Sequence, residues 1–147
     1  MFRTITDHFW VSPQISLADV DTAKAEGVTM IVNNRHDGEE PDAPQHADIA
    51  AAAEAAGLAY LALPVTGAGF SAPQVDALAD AIAAQKAAGG RILAYCRSGN
   101  RSTLLWSLAS ARAGGNPVSI AAKAATAGYD ITPVRPMVDA LAAAHDD

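Results

Sequence analysis

Three short apolar runs, at residues 28–33, 58–63 and 91–95, alternate with Ala-rich stretches of helical length, and this alternation limits the fold more than any other feature of the chain. A strand that is followed by a helix rejoins its sheet as a parallel neighbour, through a crossover that is almost always right-handed. An α/β sandwich with a mostly parallel central sheet is therefore predicted, with its functional crevice at the carboxyl ends of the strands. Boundary residues support the same division. Ser16 with Asp19 marks a helix start and Gly27 its end, Pro44 opens a helix that stops at Gly57, and Ser71 with Gln74 forms a capping box for a helix ending at Gly89-Gly90. Residues 2–15 read as two short strands around Asp7-His8, the second at 9–12 and ended by Pro13. The Ala-rich stretches have no fixed period, and the helix propensity of alanine accounts for them.

After Ser102 only helical patterns remain. One runs to about Gly114, one is begun by Asn116-Pro117 and stopped by Gly128, and one is begun by Thr132-Pro133. The C-terminal third is predicted to be all helical, with fraying expected from Ala142 on.

With 147 residues, half of them hydrophobic, the chain has the length of one domain (1–147) and enough apolar side chains for a real core. A formal charge of -6 argues against a nucleic-acid or anionic-membrane partner, since either needs a basic face. The arginines run the other way locally: Arg91, Arg97, Arg101 and Arg112 are expected to gather around one loop and to suit a small anionic substrate. A single cysteine forms no internal disulfide, the N-terminus lacks the apolar core of a signal peptide, and no run approaches the ~18 apolar residues of a membrane span. A cytoplasmic protein is expected. His8, His36, His46 and His145 lack metal-ligand spacing, and Gly67-Ala68-Gly69 is too short for a nucleotide-binding signal, so neither metal nor cofactor is expected. Trp10 and Trp106 read as core aromatics. Phe70 suits either a pocket wall or the core.

The chemistry concentrates at Ala94-Tyr95-Cys96-Arg97-Ser98-Gly99-Asn100-Arg101-Ser102. A strand that turns tightly into a helix points backbone N–H groups into the turn and adds the positive end of the helix dipole, which together make a bowl for an oxyanion. A thiol in that bowl is favoured as thiolate, the reactive nucleophile. Arg97, Ser98, Gly99 and Asn100 are the predicted anion-binding residues. Arg101 holds an oxyanion bidentately, Gly99 permits a turn that a β-carbon would hinder, and the Ser102 hydroxyl is expected to hydrogen-bond the sulfur. A lone cysteine is more often a small buried hydrophobe. Two arginines, a glycine and two serines in the next six positions are poor company for that role.

Cys-Arg-Ser-Gly-Asn-Arg-Ser resembles the active-site loop of the rhodanese and cysteine-phosphatase superfamilies, and its four residues between Cys96 and Arg101 match rhodaneses, where tyrosine phosphatases usually have five. Over nearly its full length the chain resembles the bacterial phosphatase-like domain of the beta-lactamase-hydrolase-like family. The segments that carry this likeness are Phe9-Trp10-Val11-Ser12-Pro13-Gln14, Ile31 to Pro41 and Ala127-Gly128-Tyr129-Asp130. The resemblance implies a tyrosine/dual-specificity-phosphatase-like fold and a cysteine-dependent hydrolase acting on a phosphomonoester through a Cys96 thiophosphate. The alternative is a rhodanese-type sulfurtransferase with a Cys96 persulfide, and a further one is a non-catalytic oxyanion-binding or redox-sensing module. The all-helical tail favours the phosphatase, because a rhodanese returns to its sheet after the cysteine helix.

Phosphatases of this fold carry a general-acid aspartate on the loop before the cysteine strand, here residues 64–70, and that loop has no acid. The acidic run Asp37, Glu39, Glu40, Asp42 leaves the end of a strand expected to neighbour the cysteine strand. Asp37 and Glu39 are therefore the candidate general acids, with Arg35 orienting their loop by pairing with one of them. A solvated loop is the plainer reading of such a run.

Overall fold

A computed structural model of the protein describes residues 2–39, 42–66 and 69–146. Glu40 of the acidic run, and Gly67 and Ala68, lie outside the described residues. The chain orders its elements as β1 (Arg3–Thr6), β2 (Phe9–Ser12), α1 (Leu17–Ala25), β3 (Met30–Asn33), α2 (His46–Ala55), β4 (Ala59–Ala62), α3 (Ala72–Ala87), β5 (Ile92–Tyr95), α4 (Asn100–Arg112), α5 (Pro117–Thr126), a 3-10 turn (Thr132–Val134) and α6 (Arg135–Asp146).

The five strands form one sheet in the order β1-β2-β5-β3-β4, antiparallel between β1 and β2 and parallel elsewhere. Ser12 and Asn33 both pair with Tyr95, and Asn33 pairs with Ala62. Four strands thus end level, and the segments after them leave one edge together. Side chains of β5 alternate between two cores, as a strand covered on both faces requires. Ile92 and Ala94 join the core built with α3, α4, α5 and α6, while Leu93 and Tyr95 join the one built with α1 and α2. The three-layer sandwich and its all-helical last third are as expected.

Some boundaries differ. α2 begins at His46 and not at Pro44: Gln45 is its N-cap, its amide donating to Asp48 Oδ2 at 3.2 Å in a capping box, and the Asp37 carboxylate also accepts the His46 amide at 2.8 Å. α4 begins at Asn100, two residues before the expected Ser102, since Gly99 at φ 90° is already its N-cap. α4 is buried on nearly every side, from Ser102 through Ala109 and again at Ala111. Trp106 lies inside it, stacked on Phe9 at 6.3 Å between ring centroids. Phe70 packs partly buried against the same core.

Candidate active site

Cys96 is the first residue past β5 and is fully buried. The level strand ends fix the loop around it. The Cys96 amide reaches Ser12 O at 3.4 Å, and Arg97 O accepts the Gln14 amide at 3.3 Å, so the stretch after β2 forms one wall. Inside the turn the Gly99 N–H donates to Cys96 Sγ at 3.1 Å. A β-carbon at residue 99 would stand 2.1 Å from Tyr129 Oη, so both the positive φ and the close approach require glycine there.

Arg101 sits in the first turn of α4 with its guanidinium already engaged. Its nitrogens donate to Glu39 Oε1 at 2.8 Å and Oε2 at 3.1 Å, and Nη1 donates to Val65 O at 2.8 Å. Glu39 also accepts the His36 amide at 2.9 Å and has Arg35 Nε at 3.6 Å and His36 Nε2 at 3.9 Å. Burial opposes its charge. The hydrogen bonds from Arg101 and His36 and the charges of Arg101 and Arg35 outweigh burial, and the carboxyl is held below the ordinary range. On Arg101 burial likewise opposes the charge, and Glu39 with the adjacent Cys96 sulfur pushes the guanidinium higher still.

The candidate residues thus divide. Glu39 and Arg35 meet at Arg101, whereas Asp37 turns to the start of α2. Ser102 does not reach the sulfur as expected: its hydroxyl donates to Asn34 Oδ1 at 2.7 Å, because Asn34 is buried directly opposite the first turn of α4. Two of the four expected arginines lie elsewhere. Arg91 donates to Asp7 O and Glu26 O and covers Trp10 at the start of β5, and Arg112 pairs with Asp76 at the far end of α4, about 16 Å of helix from Arg101 at ~1.5 Å per residue. Nearness in sequence to a strand or helix that carries the site is not nearness to the site.

Two residues of the site went unpredicted. Asn34 donates through Nδ2 to Leu63 O at 2.9 Å, through its amide to Tyr95 O at 2.9 Å, and accepts the Val65 amide at 3.0 Å, tying the ends of β3, β4 and β5 to α4. Its only sequence signal is a second asparagine at the end of an apolar strand. Tyr129, between α5 and the 3-10 turn, donates to Ser98 O at 3.0 Å. It lies in the segment at residues 127–130 that carries the family likeness, but no local pattern assigns it to the cysteine loop.

A level parallel sheet, a cysteine loop running into a buried helix with an arginine in its first turn, and a helical tail define the tyrosine/dual-specificity phosphatase class by fold. Solved structures agree. A candidate phosphatase from Neisseria meningitidis superposes with a TM-score of 0.75 at 29% identity over 95% of this chain and 96% of its own. Tk-PTP in its active form superposes with a TM-score of 0.77 at 16% identity, covering 97% of this chain and 96% of its own, a likeness of fold alone. At the level of sequence, residues 1–113 match the phosphatase-like domain of beta-lactamase hydrolase-like proteins, and the chain belongs to that family. The beta-lactamase hydrolase-like protein of Xylella fastidiosa is 35% identical over 104 residues, 71% of this chain. The matched segment is 23% of that relative's length, so the chain spans about a quarter of the curated relatives it matches. Among the described residues no helix is long and apolar enough to cross a membrane.

Proposed function

We propose that this protein hydrolyses a phosphomonoester, on a small molecule or a protein, with Cys96 as nucleophile. The observation that carries the reading is the sulfur at the end of β5, which accepts the Gly99 amide at 3.1 Å and lies beside Arg101. The thiolate attacks phosphorus, the bond to the leaving oxygen breaks, and that oxygen takes up a proton. Water then attacks the cysteinyl phosphate, the thiolate departs and inorganic phosphate is released. Loop amides from Arg97 to Asn100, with Arg101, bear the charge on the remaining phosphoryl oxygens.

The proton donor is Glu39, in a role that depends on substrate. Paired with Arg101 it is ionised and donates nothing. A phosphoryl dianion taking the Arg101 fork removes that pairing and puts a like charge beside the carboxylate, and both changes favour the protonated form. The carboxylate then takes up a proton from solvent, which it passes to the leaving oxygen as the bond to phosphorus breaks.

Sulfur transfer is the second reading, favoured by the four-residue spacing of Cys96 and Arg101 and by the acid-free loop at 64–70, since departing sulfite needs no proton. Turnover of an aryl phosphate and of thiosulfate with cyanide, measured side by side, separates the two. Aryl phosphate is expected to turn over, and Cys96→Ser and Arg101→Ala are each expected to remove that activity. Turnover of thiosulfate alone overturns the phosphatase reading, and wild-type rates in both variants overturn the cysteine mechanism. Anion binding without any turnover leaves the binding-module alternative.

A further inference from the structure

The Ser98–Gly99 peptide unit is held at both of its polar ends. Its N–H donates to Cys96 Sγ at 3.1 Å, and its C=O accepts the Tyr129 hydroxyl at 3.0 Å. The bond is trans, so these groups point in opposite directions, and holding the carbonyl outward also holds the N–H on the sulfur. Gly99, at φ 90°, offers little resistance of its own to rotation of this peptide. The phenol provides the resistance. It is 9% exposed, and the Arg3 guanidinium of β1 stands 5.0 Å from its ring centroid. Arg3 Nη1 also reaches Ala127 O at 3.4 Å, which secures the backbone just before the tyrosine. Burial raises the Tyr129 hydroxyl above its ordinary value, with the Arg3 charge opposing and Cys96 adding to the rise, so it stays protonated and donating.

We infer that Tyr129 is a positioning residue for the nucleophile, supplied by the helical tail beyond the family match at residue 113, and that it fixes the one peptide whose N–H rests on the Cys96 sulfur. The inference rests on the reading of Cys96 as a thiolate nucleophile. Arg101 from α4 with Glu39 behind it and Arg3 from β1 are charged groups around the sulfur and the phenol, and Tyr129→Phe leaves them in place. With the hydroxyl removed, the peptide is free to turn its carbonyl toward the sulfur and its N–H away, which disfavours the thiolate.

Alkylation of the single cysteine by iodoacetamide tests this without any turnover. The quantity to compare is the rate near neutral pH divided by the rate at high pH, a ratio in which access to the buried sulfur cancels. Loss of a hydrogen bond to a charged group is expected to lower this ratio about tenfold in Tyr129→Phe. Ile131→Val, which loosens the same tail without touching the loop, is expected to lower the melting temperature and leave the ratio unchanged. An unchanged ratio in Tyr129→Phe, or an equal fall in Ile131→Val, overturns the inference. Failure to turn over aryl phosphate would overturn the functional reading and leave this ratio as informative as before.

Discussion

Because Glu39 engages two Arg101 nitrogens, at 2.8 and 3.1 Å, an oxyanion entering the Cys96 loop must displace a carboxylate before it can use the guanidinium. On the proposed mechanism one residue therefore opposes binding and, once displaced, is expected to assist departure of the leaving group. Glu39→Gln separates these effects by leaving-group quality. On an activated aryl phosphate, which leaves without a proton, the variant is expected to match or exceed the wild type. On an alkyl phosphate it is expected to lose the ~10²–10⁴-fold typical of a positioned acid. Equal effects on both esters would remove Glu39 from proton transfer. Stability follows the same carboxylate. Its folded value lies below the unfolded one of about 4.3, so the unfolded chain binds more protons between the two. The contribution is complete above the unfolded value and disappears as pH falls through the folded one. Urea titrations from neutral to acidic pH should show a smaller acid loss in Glu39→Gln than in the wild type.

At the scale of elements, Asn34 holds the strand ends at their common level. Asn34→Ala leaves the Ser102 hydroxyl and Leu63 O without their side-chain partner in a buried setting, and at ~1–3 kcal/mol for each unsatisfied group the expected cost is about 2–6 kcal/mol in urea unfolding. A loss below ~1 kcal/mol would mean that these groups find other partners. The contrast between Asn34 and the helices shows what a sequence exposes. α1 and α3 carry their own start signals, Ser16 with Asp19 and Ser71 with Gln74, and both capping boxes form. The cysteine loop is legible for the same reason, since its cysteine, glycine and arginine fall within six consecutive residues. Asn34 and Tyr129 depend on partners 29 to 68 and 31 residues away, and no local pattern encodes such distances. Arg91 shows the reverse error: its position beside the cysteine strand points to the site, while its contacts fasten the opposite end of the sheet.

Across the whole molecule, a chain of net charge -6 keeps a small cationic centre by drawing Arg35 and Arg101 around one internal carboxylate. If the Cys96 loop is the substrate site, as proposed, far-field repulsion of anions is offset close to Arg101, and substrates able to put their charge directly on the loop amides and Arg101 are expected. Inorganic phosphate, which has the shape of the transferred group, is the simplest probe. Binding to the folded state alone raises stability by RT ln(1 + [L]/Kd), about 2.7 kcal/mol at a hundred times Kd, so phosphate is expected to raise the melting temperature of the wild type. Glu39→Gln removes the competing carboxylate charge and with it the like charge beside the bound dianion, and the gain at a fixed phosphate concentration should exceed that of the wild type. Arg101→Ala should abolish the gain in either background. Calorimetric titration of phosphate into the three proteins reads the same order directly: tightest in Glu39→Gln, weaker in the wild type, absent in Arg101→Ala. If Glu39→Gln binds phosphate no more tightly than the wild type, the carboxylate does not compete for the anion site, and Glu39 serves only to orient Arg101.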